Sequence, residues 1–213
     1  MKKVLKFAIL TLFIFNMALA QSQLPKCKGS KNEINTFSLK DPKQKGTIKK
    51  WKDYIKHYKQ SRKWTNCQGK GMGPRGEEYV GEWKNGKFSG QGTFTHDGRT
   101  YIGKWKKGKK HGQGTYKYPN GDMYIGQWIE SKYSKEGTYI YANGDKYIGE
   151  WKKKEYHLPD NQKERHGSGT YIFKNGDRYV GKWKKGLKHG KGTFIYANGN
   201  KKKQTWKKDE LIK

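Results

Sequence analysis

Beyond its first twenty residues this sequence has no long aliphatic run. Of 213 residues, 31% are hydrophobic and 15% are aromatic, so Tyr, Trp and Phe supply about half of the apolar side chains. That scarcity excludes a thick core of Leu, Ile and Val. Acids are also few, at 18 Asp and Glu against 48 Lys and Arg, which leaves a net charge of +30. Arginine is scarcer still: Arg62, Arg75, Arg99, Arg165 and Arg178 are the only five. Planar bidentate readout of phosphates or bases is therefore disfavoured, and lysine leaves a diffuse, salt-sensitive attraction in its place. Only two cysteines occur, Cys27 and Cys67, too far apart for the paired spacings of a zinc site and without a neighbouring His to activate a thiol.

Other kinds of chemistry are missing as well. No Ser-His-Asp signature or isolated carboxylate pair stands out, and no catalytic residue, cofactor site or metal ligand is predicted. Gly71 to Gly76 spells GxGxxG, but no helix follows it and Pro74 suits a turn better than a phosphate loop. Lys208 to Leu211 spells an ER retention signal, but two residues follow it, so it is not C-terminal. The 28 glycines invite a reading of disorder, which the aromatic content contradicts, because disordered chains are poor in such residues.

The first twenty residues are of a different character. Lys2, Lys3 and Lys6 precede an apolar run from Phe7 to Phe15, and Ala18-Leu19-Ala20 supplies a small-x-small cleavage pattern. This reads as a secretory signal peptide, with the mature chain beginning at Gln21. Export to a periplasm or beyond the cell follows, with membrane association left open. An oxidising compartment would favour joining Cys27 to Cys67; the alternative is two free buried thiols.

What the sequence has in abundance is repetition. Openings of the form Tyr-aliphatic-Gly-x-Trp fall at Tyr79, Tyr101, Tyr124, Tyr147 and Tyr179, in steps of 22, 23, 23 and 32 residues. Extra residues around Tyr156 to Arg165 account for the long step. A partial unit occupies 67–78, a frayed unit 201–206, and a charged tail 207–213. Each unit reads as two short strands and two turns. Tyr101, Gly103 and Trp105 share one face by the period-2 rule, as do Gly112, Gly114, Tyr116 and Tyr118 in the next strand. A glycine opposite an aromatic leaves room for a ring to lie flat. Asn-Gly pairs at Asn85, Asn120, Asn143, Asn175 and Asn198 mark tight turns, so the fold class is mainly β, a continuous antiparallel meander.

The pattern Tyr-x-Gly-x-Trp-x-x-Gly-x-x-His-Gly-x-Gly-Thr-aromatic resembles the MORN repeat (membrane occupation and recognition nexus). Tyr101 to Thr115 and Tyr179 to Thr193 fit it in full. Tyr79 onward departs at Ser89, and Tyr124 onward at Ser134 and Lys135. The resemblance covers about 140 residues and implies an elongated, twisted single sheet of consecutive hairpins, used for membrane-lipid attachment or protein scaffolding. In larger proteins such modules accompany catalytic domains, for which this chain leaves no room, so an enzyme is not expected.

On such a sheet Tyr79, Trp83, Tyr101, Trp105, Tyr124, Trp128, Tyr147, Trp151, Tyr179 and Trp183 form one aromatic stripe. Val80, Ile102, Ile125, Ile148 and Val180 lie on the opposite face. Upstream, within the segment 21–66, Thr47 to Gln60 carries Ile48, Trp51, Tyr54, Ile55 and Tyr58 at spacings of 3 and 4. That spacing predicts an amphipathic helix, docked on the first hairpins or lying on a membrane. The turn after each Trp is lysine-rich: Lys84 and Lys87, then Lys106, Lys107, Lys109 and Lys110, then Lys152 and Lys153, then Lys184, Lys185 and Lys188. The opposite turns carry Asp97, Asp122, Asp145 and Asp177. One long edge should be basic, and suited to lipid headgroups, an acidic glycan or another polyanion. The bland alternative is that these lysines only keep a flat sheet soluble.

His111, His166 and His189 recur at one place in their units, about 10 Å apart, too far to share a metal ion. Three functions remain open: an exported binding or scaffold module whose partner is an anionic surface or a protein; a structural envelope protein that self-assembles through its repeat ends; and an enzyme using His157, Asp160 and Glu164 in the insertion. Nucleic acid is not expected as a partner for an exported chain.

Overall fold

The computed structural model describes residues 24–28, 56, 59–73, 75–152 and 164–213. The expected signal peptide, most of the expected helix at 47–60, Lys153 and the body of the insertion lie outside the described residues. Residues 56 and 59–61 are helical.

The described residues form thirteen strands in a single sheet, each strand hydrogen-bonded to its sequence neighbours, so the order in space is the order in the chain. The expected meander is what forms. At about 4.8 Å per strand the sheet spans roughly 58 Å. The partial unit supplies β1 (Cys67–Met72), and the first full unit β2 (Glu78–Lys84) and β3 (Lys87–His96). The second supplies β4 (Arg99–Lys106) and β5 (Lys109–Lys117). Turns alternate between two edges. Those after Trp83, Trp105 and Trp183 are two-residue hairpins whose central residues both have positive φ: 51° and 67° at Asn85 and Gly86, 53° and 80° at Lys107 and Gly108, 52° and 85° at Lys185 and Gly186. Such turns match the right-handed strand twist.

Every full unit carries a register shift at one place, between the opening glycine and the Trp. In β4 and β5, Gly103 faces Gly114 and Trp105 faces Lys110, which leaves three residues opposite one. Gly112 takes a φ of 59° within that bulge, which accounts for the glycine of the His-Gly pair. The third unit has Lys135 there instead, and pairing of its second strand to the next unit ends at Glu136 opposite Glu150.

Packing lies on one face. Each opening Tyr is essentially buried, with its ring over its own unit's paired glycines: a Cβ at either Gly103 or Gly114 would come inside 3.0 Å of Tyr101. The Tyr101 hydroxyl donates to the Lys104 carbonyl at 2.9 Å, with the His111 carbonyl at 3.5 Å, and Tyr147 meets Glu150 and His166 in the same way. The Trp of each full unit donates its Nε1 proton to a glycine carbonyl of the preceding strand, as Trp105 does to Gly92 at 3.1 Å and Trp128 to Gly114 at 3.2 Å. Trp105 stands edge-on between Tyr79 and Tyr101, at 5.5 and 5.0 Å, and Trp128 likewise between Tyr101 and Tyr124. Pairs of this kind contribute about 0.5–1.5 kcal/mol each beyond area burial. Across the sheet a row alternates β-branched aliphatics with threonines: Val80 faces Thr93, Thr93 faces Ile102, and Ile102 faces Thr115. Val80, Ile102 and Val180 are exposed.

Both ends of the array are closed. Cys27 and Cys67 are bridged across a sequence separation of 40. Cys27 N–H donates to the Gln68 carbonyl and Gln68 N–H to that of Pro25, so residues 25–27 lie along the outer edge of β1. Trp64 stacks edge-on against Trp83 at 5.1 Å and donates to the Lys28 carbonyl at 3.0 Å. Trp64, in the segment leading out of the helix, thus covers the aromatic face. At the other end β12 (Lys201–Lys207) has Lys202 and Gln204 where full units have Tyr and Gly, and β13 (Glu210–Leu211) pairs with its last two residues. Lys201 to Lys203 occupy its remaining stretch, a charged edge of the kind that resists strand addition.

Candidate functional site

The lysine edge is built by the hairpins after each Trp. Lys84, Lys87, Lys106, Lys107, Lys109, Lys184 and Lys185 are all exposed there. Lys107 and Lys185 hold left-handed conformations at turn tips, where Asn85 serves in the first unit. A non-glycine residue costs roughly 1–2 kcal/mol in that region, less for Asn, so lysine is an expensive choice at both tips. The row is interrupted in the third unit, where Glu130 and Ser131 form the tip and Glu130 approaches Lys109 at 3.5 Å. Lys152 is exposed and lies 3.5 Å from Glu164.

Two lysines of the expected set point elsewhere. Lys110 faces Trp105 across its hairpin and so belongs to the aromatic side, with Nζ 4.1 Å from the Tyr116 ring centre and 4.9 Å from that of Trp128. Lys188 lies 3.5 Å from the ring centre of Trp206, and its burial lowers its pKa. Arg165 takes the same place in its unit, over Trp183 at 4.4 Å, and donates to the Gly186 carbonyl. Cation–π contacts of this kind contribute about 0.5–2 kcal/mol. Counting two residues back from Gly112 along the strand would have placed Lys110 on this face.

The opposite edge is not a free acidic surface. Asp122 accepts from Asn120 in its own turn, from Tyr139 at 2.5 Å and from the Ala142 N–H at 2.8 Å. Asp145 accepts in the same way from Asn143, Tyr171 and the Lys174 N–H. Each carboxylate therefore clamps one turn to the next. Lys117, Lys146, Lys174 and Arg178 are exposed alongside, which dilutes the negative charge. Burial opposes ionisation of Asp145, but the bonds from Tyr171, Lys174 and Asn143 prevail and its pKa falls. The histidines recur at the bulges, where the His111 and His166 carbonyls lie near tyrosine hydroxyls. Among the described residues no cluster of three or more His, Cys, Asp or Glu could hold a metal ion.

A capped array of β-hairpins with one aromatic face and one lysine-tipped edge defines a repeat protein of the binding or scaffold class. The MORN repeat family model matches residues 79–98, 101–123, 124–146, 161–178 and 179–201, and the chain belongs to that family. The unit opening at Tyr147 is matched only from residue 161, which falls within the insertion. No curated protein matches. Among solved structures the chain is similar to the SAS-4 (dCPAP) TCP domain of Drosophila melanogaster, determined in complex with a proline-rich motif of Ana2 (dSTIL). That match has 12% identity and a TM-score of 0.38, and covers 66% of this chain and 80% of the other.

Proposed function

We propose that this protein is an exported, non-enzymatic binding or scaffold module that attaches to an anionic surface through the lysine-tipped edge of its sheet. The carrying observation is the pair of turn tips at Lys107 and Lys185, where lysine stands in a left-handed conformation that asparagine or glycine would adopt at lower cost. Exposed lysines flank both tips, and the net charge of +30 adds a long-range attraction. Lipid headgroups suit such an edge because each lysine near an anionic bilayer contributes about 1 kcal/mol without directional contacts. An acidic glycan or an acidic protein surface presents the same charge, and these are the alternative occupants. Self-assembly through the repeat ends is the weaker reading, since the bridged segment at 25–27 and the lysines of β12 close the two edges it would need.

Co-sedimentation with anionic and neutral vesicles across a salt series tests the reading. Binding to anionic vesicles alone, lost as salt rises, is the expected result. No binding at low salt, or equal binding to neutral vesicles, would refute it.

A further inference from the structure

Among the described residues the aromatic face has a gap at its first unit. Gly69 faces Gly81 as Gly92 faces Gly103, which aligns β1 with the second strands of the full units. In those units the residues two and four positions beyond the glycine carry rings, such as Phe94 and His96 in β3, or Tyr116 in β5 and Tyr118 just after it. Beyond Gly69 the same two positions are Gly71, in β1, and Gly73, just past its end. A pocket of about 350 Å³ lies there, floored by Tyr79, Trp83, Phe88 and Phe94. Ser61, 3% exposed, Arg62 and Glu77 contribute its polar lining. Trp83 leans over Gly71, closer than 3.0 Å to where a Cβ would be, yet space for a ring remains. An apolar cavity of about 150 Å³ is enough for benzene.

We propose that this pocket binds a planar aromatic ring, which completes the ring row that every full unit provides for itself. Four aromatic side chains on the floor offer stacked and edge contacts. The Glu77 carboxylate, an acceptor already bonded by the Arg75 N–H at 2.7 Å, favours a ring that carries a hydrogen-bond donor. A phenol or an indole fits this description. The ring is that of another molecule, which enters from solvent.

The test uses p-cresol and indole as probes and cyclohexylmethanol as a non-planar control, followed by saturation-transfer NMR and by intermolecular NOEs to Phe88 and Phe94. Saturable binding of the two planar probes, with the control at least tenfold weaker, is the expected result for the intact protein and assigns the site to an external ring. Gly71→Phe supplies the missing ring and should weaken the probes at least tenfold. Because that ring must displace Trp83, Gly73→Phe, whose added Cβ has the movable Glu77 side chain as its nearest neighbour, is the second variant. Absence of binding to the intact protein, or unchanged affinity in a folded filling variant, would overturn the proposal.

Discussion

At the residue scale the fold depends on pairs of glycines that accept a tyrosine ring. Gly103 and Gly114 face each other beneath Tyr101, and the ring leaves no room for a methyl group at either. Gly114→Ala should therefore destabilise by about 2–3 kcal/mol through overpacking, as measured by urea unfolding. Tyr101→Phe keeps the ring but orphans the Lys104 carbonyl, a loss of about 1 kcal/mol. These tyrosines also set an alkaline limit. Burial pushes the phenols of Tyr79, Tyr101, Tyr124 and Tyr147 well above their ordinary range, and that of Tyr179 up to about 12. Unfolded tyrosine loses its proton near pH 10. Above that pH the unfolded chain has released protons that the folded chain still holds, so stability is full below about pH 10 and falls as pH rises through the folded values. Tyrosinate absorbance should emerge together with loss of the β circular-dichroism signal. Titration of all the tyrosines near pH 10 in an intact sheet would contradict this.

At the scale of the element, the hairpin tip and the N-terminal segment carry separate predictions. Lys107→Asn relaxes a left-handed lysine to the residue used at the first tip, so it should stabilise the protein by about 0.5–1 kcal/mol while weakening vesicle binding. A gain in both, or a loss in both, would separate the tip from the function. Reduction of Cys27–Cys67 frees a loop of about 40 residues in the unfolded chain and should cost on the order of 4 kcal/mol in the chain-entropy account. Calorimetry with and without reductant measures it. The elements were largely legible in the sequence. Asn-Gly turns, period-2 alternation and the Tyr-x-Gly-x-Trp opening gave the strands and the aromatic side, because a strand face is set by local geometry alone. The bulge was less legible: alternation holds through it, while the backbone count across the pair does not. The part played by Trp64 was not legible, since one aromatic in a polar segment carries no period. Asp122 and Asp145 read as edge charge because nothing in the sequence states that a tyrosine and a backbone N–H from the next unit will converge on them.

At the scale of the whole molecule, the sheet separates two kinds of surface. Aromatic packing accounts for one face from Trp64 to Trp206, and it engages Lys110, Arg165 and Lys188 as ring-capping cations. The remaining lysines of the tips stay in solvent along one edge. A positive edge and a positive molecule are different claims, because +30 attracts any polyanion. Two variants separate them at equal charge. One changes Lys84, Lys87, Lys106, Lys107 and Lys109 to Gln; the other changes Arg99, Lys117, Lys146, Lys174 and Arg178 to Gln on the opposite edge. The most direct measurement is the affinity of both variants for anionic vesicles at one fixed salt concentration. The account predicts at least a tenfold loss for the first variant and a change of less than threefold for the second. Equal losses in the two would contradict it and leave net charge, not the lysine-tipped edge, as the source of binding.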